Sequence, residues 1–194
     1  MKSDKKLKGK DLINVGIFSA IYFVIVMALA MLGYIPILMP LLCVIGPIIC
    51  GIPFMLFMTK VKKFGMILIM SLIMGIMMYF TGMGIYAFFV SIVTGLAAEF
   101  IYKSKNYASS KAAVVSYGVF SIWVWGNYIP LFFDAEKYWS TRQSFGQEYI
   151  DTLTSLMPMW MCPTLLVACF VCGVIGGFIG LKLLKKHFIK AGVV

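Results

Sequence analysis

Long apolar runs separated by short lysine clusters are the feature that most constrains the fold of this chain. Each run has about 20 residues, the length that an α-helix needs to cross a hydrocarbon core of about 30 Å. The 194 residues are 62% hydrophobic and 12% charged, and so few charges cannot cover the surface of a soluble domain of this size. No alternating apolar and polar pattern typical of a membrane β-barrel runs through these segments. The sequence therefore predicts an all-α polytopic membrane protein.

Six apolar runs predict six transmembrane helices in one domain that covers residues 1–194. Prolines and lysines set the boundaries, because proline interrupts a helix and lysine clusters favour the membrane surface. The predicted spans are residues 12–32, 41–59, 64–80, 85–102, 112–133 and 156–180. The predicted outer loops are 33–40, 81–84 and 134–155, and the last carries a short amphipathic helix at 147–156.

The distribution of basic residues indicates the orientation of the chain. Lysines at the N-terminus, in the 60–63 and 103–111 loops and at the C-terminus account for all of the 17 basic residues except Lys137 and Arg142. Cytoplasmic loops of membrane proteins carry an excess of positive charge. Both termini are therefore predicted to be cytoplasmic, and the 134–155 loop, which holds the two exceptions, is predicted to be extracellular. We expect the lysine clusters to contact the lipid bilayer and expect no nucleic-acid partner.

Motifs for catalysis and metal binding are missing from the sequence. It has no Walker A motif, no HExxH and no GxSxG. The one histidine, His187, lies among the C-terminal lysines, a poor position for a catalytic triad. The five cysteines all fall within predicted spans, without zinc-site spacing: Cys43, Cys50, Cys162, Cys169 and Cys172. We therefore expect that the chain is not an enzyme, holds no metal or cofactor and hydrolyses no ATP by itself.

An amide and several aromatic residues near the predicted outer face are candidates for small-molecule binding. Asn127 lies roughly two turns inside the membrane, where its amide needs a partner from a ligand or from another helix. Trp123 shares its helical face at i−4, and Tyr128 precedes the break at Pro130. We hypothesise that five residues bind a substrate: Trp123, Asn127, Tyr128, Tyr138 and Trp160. The alternative is an interhelical hydrogen bond from Asn127 beside an interfacial aromatic belt.

Small residues recur at helical spacing in the first and last spans. Gly16 and Ala20 form a flat strip that permits close approach of another helix, either from this chain or from a partner. The glycines at 173, 176, 177 and 180 have the same property, and for them packing within the chain is the favoured interpretation.

One acid lies in or at the edge of a predicted span. Glu99 is a functional candidate because acids within a membrane are costly. Lys103, four residues later, could instead form an ion pair with it. A methionine stripe in the third span, residues 66–78, favours packing.

Sequence segments across the whole chain resemble one known family. The segments KDLINVGIFSAIYF, GNYIPLFF and KKHFIKAGVV, together with six spans, resemble the Trep_Strep or MptD-type S components. These are substrate-binding membrane subunits of energy-coupling factor (ECF) transporters in Gram-positive and related bacteria. The resemblance implies an ECF S-component-like six-helix bundle in a bacterial plasma membrane. It also implies that the chain binds a vitamin, cofactor or metal outside and then topples within a complex of a transmembrane coupling subunit and two cytoplasmic ATPases.

The resemblance assigns two further features to this chain. In many S components an alanine-x-x-x-alanine strip on the first helix docks onto the coupling subunit, and Gly16-x-x-x-Ala20 takes that place here. The outer loops 33–40, 81–84 and 134–155 are implied to close the pocket. We therefore expect a substrate-binding subunit of an importer, with an autonomous channel or facilitator as the alternative. A water-soluble vitamin and a haem-like tetrapyrrole both remain open as substrates.

Overall fold

The structure is a computed structural model that describes residues 6–188, with side chains described up to Lys186. All regular elements in this range are helical. The lysines at 2, 5 and 190, and the end of the tail segment used for the family resemblance, lie outside the described residues.

Helices account for most of residues 6–188. The α-helices are α1 Gly9–Ala30, α2 Leu38–Met58, α3 Met66–Phe80, α4 Tyr86–Lys103, α5 Ser110–Ser121, α6 Ile129–Phe133, α7 Ala135–Ser140, α8 Gln147–Leu156 and α9 Met161–Leu183. Short 3-10 segments cover Met31–Tyr34, Ile122–Asn127 and Gln143–Phe145, and a π-helical turn covers Leu184–Phe188.

Four helical stretches are long and apolar enough to cross a membrane. They are Gly9–Tyr34, Leu38–Met58, Tyr86–Lys103 and Met161–Lys186. Helix α3 is apolar but has 15 residues, and α5 continues directly into the 3-10 segment that ends at Asn127. The predicted all-helical, membrane-spanning class is therefore confirmed, whereas the number of six crossings stays a prediction.

Glycines of α9 bring this helix into close contact with α2 and α5. A Cβ atom added to Gly176 would collide with the backbone of Pro47 and Ile48 in α2, and one added to Gly173 would collide with Ser121 in α5. Only glycine permits such an approach of two helix backbones. The interpretation of the α9 glycines as packing residues within the chain is confirmed.

An aromatic cluster fills the middle of the bundle between α1, α2 and α5. The ring of Phe54 lies 4.5 Å from that of Phe120 and 4.7 Å from that of Tyr117, measured between centroids. Tyr22 contacts both Phe54 and Phe120 edge-on. All four side chains are at most 1% exposed, so this layer of the bundle is densely packed.

The lysine-rich segments meet at one end of the bundle, where Glu99 has a structural role. Its carboxylate accepts hydrogen bonds from the backbone N–H groups of Ile67 at 2.8 Å and Leu68 at 3.2 Å, and from the Tyr107 hydroxyl at 3.1 Å. Among the described residues no ion pair joins it to Lys103, whose Nζ instead lies 4.6 Å from the centroid of the Phe64 ring. The i,i+4 ion pair considered for Glu99 is therefore wrong.

The predicted fifth span, 112–133, is three helical pieces in the structure. Helix α5 ends at Ser121, a 3-10 segment follows, and α6 begins at Ile129. Gly126 lies against α4, where an added Cβ would be 3.0 Å from the Cα of Ala87, and this contact fixes the 3-10 segment in place. Pro130 is in the first turn of α6, where its missing N–H costs no helical hydrogen bond.

Two other predicted boundaries differ for reasons that involve proline. The sixth span does not begin at Leu156, because that residue ends α8 and α9 starts only at Met161. Pro158 lies in the break and lacks the N–H needed to continue a helix. The first outer loop is shorter than predicted, because α2 begins at Leu38 and accommodates Pro40 in its first turn.

Candidate functional site

A cavity of about 430 Å³ lies at the end of the bundle opposite the lysine-rich segments. Its walls come from the second half of α1, the first half of α2, the end of α3 and the 3-10 segment Ile122–Asn127. Residues between 138 and 149 cover it. This volume falls within the range of about 300–1,000 Å³ typical of small-molecule sites.

Four of the five residues hypothesised to bind a substrate line this cavity. They are Trp123, Asn127, Tyr128 and Tyr138. Trp160 is the exception: it precedes α9 in the break made by Pro158, and its side chain is 64% exposed. The structure therefore gathers residues of the 3-10 segment and of α7 around one space, and it leaves Trp160 at the surface.

Asn127 presents an unpaired acceptor. Its Nδ2 donates to the carbonyl of Val124 at 3.0 Å, within the same 3-10 segment. Because carbonyls only accept, this bond fixes the orientation of the amide. Its Oδ1 is buried and has no hydrogen-bond partner. The alternative of an interhelical hydrogen bond therefore does not describe Asn127.

Tyr128 holds the 3-10 segment against α2. Its hydroxyl donates to the carbonyl of Met39 at 2.7 Å, and its side chain is 4% exposed. On the other side of the segment, the indole of Trp125 donates to the carbonyl of Cys162 at 2.8 Å. The Tyr128 hydroxyl is thus engaged with backbone, so its ring is the part available to a ligand.

Aromatic rings from two outer loops meet at the mouth of the cavity. Tyr34 stacks on Phe145 with 5.6 Å between centroids, and Phe145 contacts Tyr149 at 4.7 Å. The Tyr149 hydroxyl donates to the carbonyl of Gly33. Burial raises the pKa of Tyr149 to about 12, so this hydroxyl stays protonated and remains a donor at neutral pH.

Arg142 connects the covering segment to the turn after α3. Its guanidinium donates to the carbonyls of Tyr138, at 2.8 Å, and Gly82, and it lies 3.8 Å from the centroid of the Tyr138 ring. The segments at 33–37, 81–84 and 134–155 therefore contact one another around the cavity. Sequence reasoning missed Tyr34, Arg142, Phe145 and Tyr149, although the occurrence of the chain's one arginine in a predicted outer loop was a usable signal.

A second candidate site lies on the outer surface of α1, toward its lysine-rich end. Gly16 and Ala20 are both exposed, and a Cβ added to Gly16 would meet nothing within 4 Å. Ile13 and Ile17 beside them are 62% and 52% exposed. No other helix in residues 6–188 covers this α1 strip, defined as Gly16 and Ala20 with Ile13 and Ile17. Packing within the described chain is therefore not its role.

Comparison with known proteins identifies one family. A family model described as a hypothetical bacterial integral membrane protein, Trep_Strep, matches residues 9–190. No curated protein and no solved structure matches the chain significantly. The match covers almost the whole chain, including both candidate sites.

Proposed function

We propose that this chain, which belongs to the Trep_Strep family of bacterial integral membrane proteins, is the substrate-binding S subunit of an ECF-type importer. Six membrane crossings would place both termini in the cytoplasm and the cavity at the extracellular face of the plasma membrane. The chain would capture a small vitamin- or cofactor-like molecule there. A coupling subunit and two ATPases would supply the energy for uptake, and the chain itself would carry out no covalent chemistry.

The single observation that carries this proposal is the position of the cavity. It lies between the segments that hold only two basic residues, Lys137 and Arg142, whereas the other lysines cluster elsewhere. The positive-inside asymmetry supports an extracellular position for this end of the bundle. A small-molecule pocket at that face suits a subunit that takes its ligand from the medium.

The shorter helices are compatible with six crossings. Helix α5 and the following 3-10 segment have 12 and 6 residues, which together extend about 30 Å. The 15 residues of α3 extend about 22 Å, and a bilayer accommodates so short a helix by local thinning. These lengths support the proposed topology for the two helices that are not long apolar spans by themselves.

Dense packing beneath the cavity favours capture over a channel. Tyr22 lines the cavity, and on its far side it contacts the buried rings of Phe54 and Phe120. A ligand that passed straight through would have to displace this aromatic layer, whose packing resembles a protein interior. An autonomous facilitator needs a continuous path, so the binding subunit is the better explanation of this geometry.

The α1 strip is the proposed contact with the coupling subunit. Exposed small residues allow another helix to approach closely in a membrane, and the strip ends at Ala20, two residues before Tyr22 of the cavity wall. One helix would thus contact both the substrate and the partner. This arrangement provides a short route by which a partner could sense an occupied cavity.

The proposed binding site can be tested with a variant whose side chain fills the cavity. Gly46 lines the cavity and has nothing within 4 Å of an added Cβ, so Gly46→Phe would occupy ligand space without a backbone clash. We expect wild-type protein from host membranes to carry a small molecule that mass spectrometry detects, and Gly46→Phe to lack it. Trp160→Ala, which lies outside the cavity, is the control and should retain it. Equal ligand content in wild type and Gly46→Phe would rule out this cavity as the binding site.

A further inference from the structure

The unpaired polar atoms of the cavity and its single charge indicate a chemical class of ligand, an inference that rests on the binding function proposed above. Among the described residues, four buried side-chain nitrogen or oxygen atoms lack a hydrogen-bond partner. Three of them belong to cavity residues, namely Tyr22, Trp123 and Asn127. Buried polar groups in proteins are almost always paired. Three unpaired atoms on residues that line one cavity therefore suggest a ligand that pairs with them after these closely packed side chains move.

These atoms differ in what they require. The Oδ1 of Asn127 can only accept a hydrogen bond, and the Nε1 of Trp123 can only donate one. The Tyr22 hydroxyl can do either, and the Tyr22 ring lies 6.4 Å from that of Trp123, measured between centroids. A ligand edge that carries an N–H group beside a carbonyl oxygen, as in a cyclic amide, supplies both a donor for Asn127 and an acceptor for Trp123.

Among the described residues that line the cavity, Arg142 is the only charged one. No acid in residues 6–186 forms an ion pair with it, and its hydrogen bonds go to neutral oxygens of Tyr138, Thr141 and Gly82. The acids of the outer segment lie outside the lining: Asp134, Glu136, Glu148 and Asp151. A guanidinium with free donors and no counter-charge is suited to a carboxylate, and one positive charge matches a single negative charge on the ligand.

The rest of the cavity lining is largely apolar. Methionines from α1 and from the end of α3, such as Met27 and Met78, line one part, and their flexible thioethers adapt to aromatic rings. Tyr34 and Trp139 also line the cavity, and both contact Phe145, three residues after Arg142. A planar, conjugated ligand body would pack well between such side chains.

We propose that the substrate is a planar heteroaromatic monoanion. Its ring edge, with an N–H group beside a carbonyl oxygen, meets Asn127 and Trp123 in the interior of the cavity. Its carboxylate meets Arg142 at the mouth.

The test uses three compounds of defined chemistry and the full-length protein in detergent. Pterin-6-carboxylate has both the cyclic amide edge and the carboxylate, pterin lacks the carboxylate, and 2-naphthoate lacks the amide edge. Binding is measured by quenching of tryptophan fluorescence. We expect wild type to bind pterin-6-carboxylate at least about tenfold more tightly than pterin.

Arg142→Gln and Asn127→Ala test the two ends of the cavity separately, and Lys137→Gln is a control. Arg142→Gln should reduce the affinity ratio between the two pterins to about one, while retained binding of pterin reports that the variant is folded. Lys137→Gln removes an equal charge from the same outer segment, and Lys137 is exposed and does not line the cavity, so the ratio should not change. Asn127→Ala should weaken both pterins by similar factors and leave 2-naphthoate unaffected.

The experiments distinguish a wrong assignment of the substrate class from a wrong assignment of the binding function. The class is overturned if wild type does not bind pterin-6-carboxylate, if the two pterins bind equally well, or if Arg142→Gln leaves their ratio intact. If Gly46→Phe nevertheless removes a molecule that co-purifies with wild type, the binding function stands and only the class falls. If no co-purifying molecule depends on Gly46, the binding function itself falls.

Discussion

At the residue scale, Glu99 illustrates how an acid within a membrane helix can stabilise the packing of two helices. Helix α3 begins at Met66, so the N–H groups of Ile67 and Leu68 belong to its first turn and have no partner within the helix. The Glu99 carboxyl group accepts from both, at the positive end of the α3 dipole. The acid therefore attaches α4 to the start of α3.

This role predicts a loss of stability on removal of the carboxylate. Glu99→Ala would leave buried backbone donors unpaired, which costs about 1–3 kcal/mol for each such group. We expect a clearly lower unfolding midpoint for the purified protein in detergent, measured by thermal denaturation. Glu148→Ala is the matched control, because Glu148 is exposed in the first turn of α8. If both variants unfolded at the same temperature, the capping role would be wrong.

Single residues differ in how visible their positions are from sequence. Asn127 stands out because an amide in an apolar run needs a partner, and the structure places it in the cavity. The outer loop that holds Arg142 was predictable, but its contact with Gly82 was not, because that contact joins residues 60 positions apart. Trp160 was misplaced because the sequence pattern continued the last span across Pro158, where the structure has a break.

At the element scale, the glycines of α9 and α1 look alike in sequence and have opposite surroundings. Gly176 lies against the backbone of α2, whereas Gly16 has open space around an added Cβ. Small-residue spacing alone predicts close helix contact in both cases. Which helix makes the contact depends on the arrangement of the bundle, and sequence spacing contains no such information.

Alanine substitutions at these two glycines should therefore have opposite effects. Gly176→Ala requires α9 and α2 to move apart, and overpacking of this kind costs typically 1–3 kcal/mol. Gly16→Ala should leave stability unchanged or raise it by up to about 1 kcal/mol, because alanine favours the helix. Thermal unfolding of the two variants beside wild type tests this. A stable Gly176→Ala variant would contradict the close α2–α9 contact.

Element boundaries were predictable where the signal was local. The amphipathic helix predicted at 147–156 is α8, Gln147–Leu156, because its polar and apolar residues alternate at helical spacing. The 3-10 segment Ile122–Asn127 was not predictable from periodicity. It depends on the packing of Gly126 against Ala87 and Val90 of α4, a tertiary contact.

At the scale of the whole molecule, α1 connects the two candidate sites. Its inward face contributes Val15, Ser19 and Tyr22 to the buried interior, and its outward face carries the α1 strip. Composition and lysine positions were sufficient to predict an all-helical membrane protein. The cavity was not predictable as a volume, because it forms where 24 residues from separate segments leave space between them.

The most direct test of the proposed importer role is affinity purification of the tagged chain from its host's membranes, with mass spectrometry of the proteins that accompany it. We expect one transmembrane coupling subunit and two ATPases with wild type, and their loss with Gly16→Leu or Ala20→Leu. Val167→Leu, a substitution at an exposed position of α9, should retain them. Purification of wild type without these partners, combined with substrate uptake into ATP-free vesicles by the chain alone, would contradict the account and establish a facilitator.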